Sequence, residues 1–308
     1  MLAASGLPKT LTARQPGNSR SQSCPRLRVC RSGTRTMTMA AGTLPQLNYI
    51  PIRGRGEPIR LTLAALELDW EEVHWGHWVD TDREGNQRFI NIDWASEFKK
   101  DTNLFPFNQA PSYTVNGETY SQSNAIVRHL GRKHALYGAS EHDSLRADAI
   151  LDGIDDIRRR YFMVVYSGMM QPNGLESYWE KTCDPATIGG FNGGAHFEFL
   201  NRIFKKSTGS TGFAVGEQLT IADLLLFDIV DCHLPLYPEK FPQQYPELTA
   251  HWEKIKSLPA IASYIKSEKR YPHVLGTNVI VDDKVVPENV EAKKEPVSSF
   301  QQKMAGKK

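Results

Sequence analysis

Hydrophobic spacing divides the chain. From residue 44 to residue 134 short β-like runs alternate with helical ones, and from about residue 142 to about residue 268 helical periodicity continues. The first pattern predicts a mixed α/β unit and the second an all-helical one. Tyr49 closes an apolar run from Leu44 to Ile52, ahead of a Gly-containing turn and a helical pattern opening at Glu57-Pro58-Ile59-Arg60. A further strand is expected from near Trp70 to Trp75, and the stretch from His74 to Phe98 reads as a loop. Ser112-Tyr113-Thr114-Val115 turns through Asn116-Gly117 into Glu118-Thr119-Tyr120, which is a hairpin signal. From Gln122-Ser123 onward Ile126, Val127 and Leu130 fall at helical spacing, with Arg128, Arg132 and Lys133 toward the helix end.

A short linker, about Leu136 to Glu141, leads into the helical part. There Thr220-x-x-Asp223 precedes Leu224-Leu225-Leu226-Phe227 and forms a capping-box-like start, with Asp in place of the longer Glu. Gly189-Gly190 and Gly193-Gly194 read as a loop between helices, because no Lys-Ser/Thr follows at phosphate-cradle spacing. The lone Gly54-Arg55-Gly56 is too little for a dinucleotide site. Beyond Gly276 the chain reads as a polar, mobile tail with one short strand at Val279-Ile280-Val281. No internal repeat is present.

Composition narrows the classes. The 308 residues are 40% hydrophobic, with a mean hydropathy of −0.45. No stretch approaches the roughly 18 apolar residues that span a membrane. Cys24, Cys30, Cys183 and Cys232 show neither C-x-x-C nor paired metal spacing, so neither a disulfide framework nor a zinc site is expected. His74-Trp75-Gly76-His77 lacks further ligands nearby, and no metal is expected there. The formal charge of +2 conceals an asymmetry: residues 1–45 carry Lys9 and six arginines without an acid, so the remainder is at −5. An Arg-, Ser- and Thr-rich leader without an apolar core is the composition of an organelle transit peptide. A basic arm for nucleic acid, or upstream codons of a message starting at Met37 or Met39, are the other readings; no nucleic-acid partner is expected.

Three pieces carry candidate chemistry. A phenolic hydroxyl aimed at a thiol can donate a hydrogen bond that favours the reactive thiolate, and Tyr49 lies where a first strand feeds a helix and a side chain can enter a cleft. The helix opening at Gln122-Ser123 offers unpaired N–H groups to a carboxylate, which suits the amino-acid end of a small peptide. A cis Ala110–Pro111 bond would turn the Ala110 backbone toward an extended ligand; X–Pro bonds are cis in about 5–6% of cases, so the sequence leaves the isomer open. Taken singly, Tyr49 reads more readily as an ordinary strand tyrosine and Ser123 as a simple cap.

Taken in order, these pieces resemble the N-terminal domain of the tyrosine-type cytosolic glutathione S-transferases. YIPIRGR at 49–55 and YSQSNAIVRHLGRKHALYG at 120–138 are similar to the pi-class pattern, and RGRGEPIRLTLAALEL at 53–68 is also similar to alpha and sigma classes. ADAILDGIDDIRRRYFMVVY at 147–166 resembles the first long helix of the pi-class second domain, and GEQLTIADLLLFDIVD at 216–231 the family's buried, box-capped helix. The likeness covers roughly residues 44–275 and also touches the mu class. It implies a thioredoxin-like α/β domain at 44–135 that binds glutathione, an all-helical domain at 142–275 with an electrophile pocket, a leader at 1–43 and a polar tail at 276–308.

Carried over by position, the resemblance makes Tyr49 the residue that activates the glutathione sulfur. Gln122 and Ser123 hold the γ-glutamyl end, and Ala110 with cis Pro111 pairs with the cysteinyl backbone. Trp94 and Lys100 reach the glycine carboxylate, with Lys99 able to replace Lys100 because the loop before Pro111 is longer here. Arg55 lies near the site mouth, and Asp156 reaches the γ-glutamyl ammonium of a neighbouring subunit, which implies a homodimer. Ile50, Ile52 and Tyr166 fall where the electrophile pocket lies. The implied reaction is conjugation of glutathione, as co-substrate, to electrophilic small molecules without a metal, a detoxification chemistry. Tyr rather than Ser or Cys argues against the Ser classes and against thiol–disulfide exchange. A sigma-type glutathione-dependent isomerase or peroxidase, or a non-catalytic ligand-binding protein of the same fold, are the alternatives. Localisation is chloroplast or mitochondrion if the leader is a transit peptide, and cytoplasm otherwise.

Overall fold

The computed structural model describes residues 44–75, 77–80, 88–91, 100–167, 172–188, 194–271, 273–275, 278–281 and 284–285. The leader, Trp94, Lys99, three of the four loop glycines and the last stretch of the tail lie outside the described residues.

Strand β1 (Gln46–Tyr49) is followed by helix α1 (Glu57–Ala65) and by β2 (Glu71–His74), which pairs parallel to β1. Pro58 sits in the first turn of α1, where its missing N–H costs nothing. Strands β5 (Ser112–Val115) and β6 (Glu118–Ser121) form the expected hairpin, its turn made by Asn116 and Gly117, both at positive φ. β5 pairs antiparallel to β1, giving a mixed sheet of order β2-β1-β5-β6. Helix α2 (Ser123–Lys133) follows and buries Ile126, Val127 and Leu130.

Inside the stretch read as a loop, β3 (His77–Asp80) and β4 (Arg88–Asn91) form a separate antiparallel pair. Each is only four residues long and separated by the polar run 81–87, too little for a period to register.

The helical part comprises α3 (Glu141–Phe162), α4 (Pro172–Tyr178), α5 (His196–Ser207), α6 (Ile221–His233), α7 (Lys240–Gln244), α8 (Pro246–Lys256) and α9 (Pro259–Ile265). α3 runs on into a π-helical turn at Met163–Ser167. The expected strand at 279–281 is part of β8 (Asn278–Val281), flanked by β7 (His273–Leu275) and β9 (Lys284–Val285) in a small antiparallel sheet, so the tail is not irregular throughout. β-Branched Val274, Val279, Ile280, Val281 and Val285 favour this pairing.

Every residue of α6 is buried, so each polar side chain on it needs a partner. The capping box is formed: Asp223 accepts from the Thr220 N–H at 2.8 Å and the Thr220 hydroxyl at 2.9 Å, and Thr220 in turn caps the first turn. The other Asp223 oxygen accepts from the Ala214 N–H at 2.6 Å and meets His251 Nε2 at 2.9 Å. Asp228 pairs with buried Arg158 at 2.6 Å. His233 sits between the Ile229 carbonyl at 2.6 Å and the Tyr178 hydroxyl at 2.7 Å. Thr220→Ala should therefore lower unfolding free energy by about 1 kcal/mol. Urea denaturation measures this, and an unchanged midpoint would remove the cap from the account of stability.

Burial holds the imidazoles of His233 and His273 at about 3, well below the ordinary histidine value. Between that value and about 6.5 the unfolded chain binds protons that the folded chain refuses, so stability falls as pH drops through this window. Each imidazole contributes about 1.4 kcal/mol per pH unit within it. Melting temperature should fall steadily from pH 6.5 to pH 4; a flat profile would mean that both rings titrate normally in the fold.

Candidate functional site

β1 delivers Tyr49 to the end of the sheet, where its carbonyl accepts from the Trp75 N–H at 3.0 Å. The backbone then turns through residues 51–56 and folds back over the Tyr49 ring. Ile52 N–H donates to the Ile50 carbonyl at 2.8 Å, and Glu57 N–H to the Arg53 carbonyl at 2.9 Å. The closure brings the Arg55 N–H to the Tyr49 hydroxyl at 3.0 Å. Two glycines make this approach possible. A Cβ on Gly54, whose φ is +42°, would lie 2.5 Å from the hydroxyl, and one on Gly56 would lie 2.6 Å from the ring.

Tyr49 is 6% exposed. Burial raises its phenol above the ordinary tyrosine value, opposed by the Arg55 N–H and by the charges of Arg60, Arg55 and Arg158. The group is therefore a neutral hydroxyl at pH 7: one lone pair is taken by Arg55 and the proton remains to be donated. Ile50 and Ile52 pack with it, against Trp75 and Ala110.

Arg60 supports the turn from beneath. Fully buried, it clamps the Glu72 carboxylate at 2.7 and 3.0 Å, donates to the Ile52 carbonyl at 2.6 Å, and lies 5.8 Å from the Tyr49 ring centre. Sequence reasoning gave Arg60 and Glu72 no role, because an arginine on a helix reads as a solvated side chain.

In front of the turn opens a cleft of about 510 Å³. One wall is Gln109, Ala110 and Pro111, and the Ala110–Pro111 bond is cis. A second wall is Ser121 with Gln122, Ser123 and Asn124 at the start of α2. Gln122 adopts φ 70°, and α2 has neither a side-chain cap nor an acid in its first turn, so its positive end is left for an outside anion. Ser123 is buried beside it. Across from these stand Arg55, Asp155 and Arg159. The Arg55 guanidinium donates to Asp155 at 3.1 Å and lies 5.0 Å from the Phe162 ring centre. Tyr49 is not among the lining residues; it stands behind Arg55.

The structure thus brings together Arg55, Ala110, Pro111, Gln122 and Ser123 around one cleft, with Tyr49, Ile50 and Ile52 beneath its inner edge. Asp156 does not line it: this half-exposed acid pairs with Arg159 in a neighbouring groove. Lys100 is exposed and not part of the lining. Trp94 and the Tyr166 side chain lie outside the described residues. Sequence reasoning missed Asp155, Arg159 and the exposed rim residue Phe107. Adjacent acids at 155 and 156 give no periodic signal of which one faces a neighbouring domain. Gly54→Ala should displace the Tyr49 hydroxyl and strain a left-handed backbone position, costing about 1–2 kcal/mol. Thermal melting reads this, and an unperturbed variant would show the turn to be adaptable.

Residues 193–268 match the family model of the glutathione S-transferase C-terminal domain. Glutathione S-transferase P 1 of Xenopus laevis is 32% identical over 225 residues, covering 73% of this chain and 92% of that protein. Glutathione S-transferase P 10 of Caenorhabditis elegans is 30% identical over 226 residues, with 73% and 92% covered. The solved glutathione S-transferase of Ascaris lumbricoides superposes with a TM-score of 0.52 at 25% identity, over 72% of this chain and 96% of that one. The four-stranded mixed sheet with its flanking helices is the thioredoxin-like half of this architecture and the helices from α3 onward the all-helical half. The chain belongs to the glutathione S-transferase family.

Proposed function

We propose that the protein joins the thiol of glutathione to electrophilic small molecules, with Tyr49 activating the sulfur. The observation that carries this reading is the hydrogen bond from the Arg55 N–H to the Tyr49 hydroxyl. It fixes the hydroxyl as an acceptor from behind and leaves its proton to be donated forward. A donor aimed at a thiol favours the thiolate, which is the nucleophile.

In this reading the γ-glutamyl carboxylate sits on the uncapped start of α2, held by Gln122 and Ser123. The cysteinyl backbone pairs with Ala110 beside Pro111 as an added strand. Trp94 and Lys100, or Lys99 in its place, hold the glycine carboxylate. Arg55 guards the mouth, and Asp156 serves the ligand of the neighbouring subunit in a homodimer. Ile50, Ile52 and Tyr166 wall the electrophile. Residues 44–135 then bind glutathione, residues 142–275 supply the second wall, and the reaction is that of detoxification. Acceleration comes from holding two reactants together and from the lowered thiol pKa.

Tyr49→Phe should lower turnover of glutathione with an aryl halide about 100-fold, the usual effect of losing one donor to a developing anion. Glutathione affinity should stay within a few-fold, and the pH–rate profile should move to higher pH as the bound thiol regains its ordinary pKa. Parent-like turnover in the variant would exclude Tyr49 as activator, and a parent that fails to bind glutathione would exclude the whole reading.

A further inference from the structure

Just past the end of α9 the chain returns to the turn that carries the Tyr49 hydrogen bond, and half-buried Tyr271 makes the contact. Its carbonyl accepts from Arg53 Nε at 2.9 Å, on the guanidinium that Asp231 also holds at 2.9 Å. Its ring centre lies 4.5 Å from the guanidinium carbon of Arg60, and that carbon is 5.8 Å from the Tyr49 ring centre. Its hydroxyl meets His74 Nε2 at 2.6 Å, and His74 is the residue paired with Tyr49 across β1 and β2. One residue therefore touches the strand partner of Tyr49, the cation beside its ring and the turn over its hydroxyl.

These contacts differ in weight. The one to His74 is open to solvent, where a neutral hydrogen bond contributes little. The one to Arg60 is buried, for Arg60 has no exposed surface. Glu72 and Glu57 neutralise its charge, and the Tyr271 ring packs against it within cation–π reach. A charge kept from water acts on its neighbours through a low dielectric. Burial raises the Tyr49 phenol, while Arg60, with Arg55 and Arg158, pulls it back down. A more acidic phenol is the stronger donor to a developing thiolate.

We propose that Tyr271 is a positioning residue for thiol activation, its carbonyl fixing Arg53 and its ring keeping Arg60 dry and in place beside Tyr49. The inference rests on Tyr49 activating the sulfur. Tyr271 does not line the cleft, so its loss leaves the groups around glutathione where they are. The charged and titratable groups around Tyr271 are Arg53 from the turn, Arg60 from α1, and Glu72 and His74 from β2. Burial pushes the Tyr271 phenol up to about 12 and holds His74 below its ordinary value. Both are neutral between pH 7 and pH 9, so neither adds a step to a thiol titration there.

Ultraviolet titration of the thiolate of bound glutathione tests this on the full chain, beside the pH dependence of turnover with an aryl halide. In Tyr271→Ala the bound thiol should titrate about half a pH unit higher, which is about a threefold loss of thiolate at neutral pH. Turnover should fall by the same factor, with glutathione affinity unchanged. Tyr271→Leu fills the space without a π face and should shift likewise, which covers an Ala variant that folds poorly. Tyr271→Phe keeps ring and carbonyl and should follow the parent. In a Tyr49→Phe background, Tyr271→Leu should leave the thiol where it is, because the effect runs through the phenol. Coincident titrations of parent and Tyr271→Leu, a Tyr271→Phe shift as large as that of Leu, or a shift that survives Tyr49→Phe would each overturn the proposal. A parent whose bound thiol titrates like free glutathione would instead overturn the reading of Tyr49, and this proposal with it.

Discussion

A buried set of charges holds the turn after β1 in place, and the site depends on it. Arg60 and Glu57 leave the first turns of α1 fully buried. Glu57 accepts from Tyr264 at 2.9 Å and Arg270 at 3.3 Å, both from the end of the helical region. Arg270 continues to Asp231 on α6 at 2.6 Å, and Asp231 closes the circuit by accepting from Arg53, inside the turn itself, at 2.9 Å. Trp252 donates to the remaining Asp231 oxygen at 3.0 Å. Removing one member strands the others, at about 3–5 kcal/mol for a buried pair. Isolated charges in this interior would not be tolerated; a closed circuit is.

The circuit also explains why a phenol can be aimed so tightly. The Tyr49 hydroxyl is met by backbone: the Arg55 N–H faces it where Arg60 pins the Ile52 carbonyl and Arg53 is tied to Asp231. The helical region thus sets the geometry of a group carried by the sheet. Arg55 plays two parts on different atoms. Its backbone N–H orients Tyr49, and its guanidinium reaches α3 through Asp155.

Helix α6 anchors this arrangement from the other side. Its first turn is capped internally, its middle neutralises Arg158, and its last turns meet Arg53, Arg270 and Tyr178. An apolar helix carrying three aspartates and a histidine would be a poor core element if any of the four lacked a partner. Each has one, drawn from widely separated parts of the chain.

Much of this was legible in the residues alone. Change of hydrophobic period marked where the mixed sheet ends and the helices begin, because period reports local backbone geometry directly. Asn116-Gly117 announced its hairpin and Thr220-x-x-Asp223 its helix start, since turns and caps are short-range chemistry. The order of Tyr49, Pro111 and Gln122-Ser123 pointed to the family, and Pro111, Gln122 and Ser123 do share one cleft. Only the tertiary structure decided the isomer at Ala110–Pro111, the place of Asp155 in the cleft wall, and the burial of Glu57, Arg60 and Asp231. Those outcomes rest on contacts between residues up to 218 positions apart, such as Arg53 with Tyr271, and no local pattern records which distant partner will neutralise a charge.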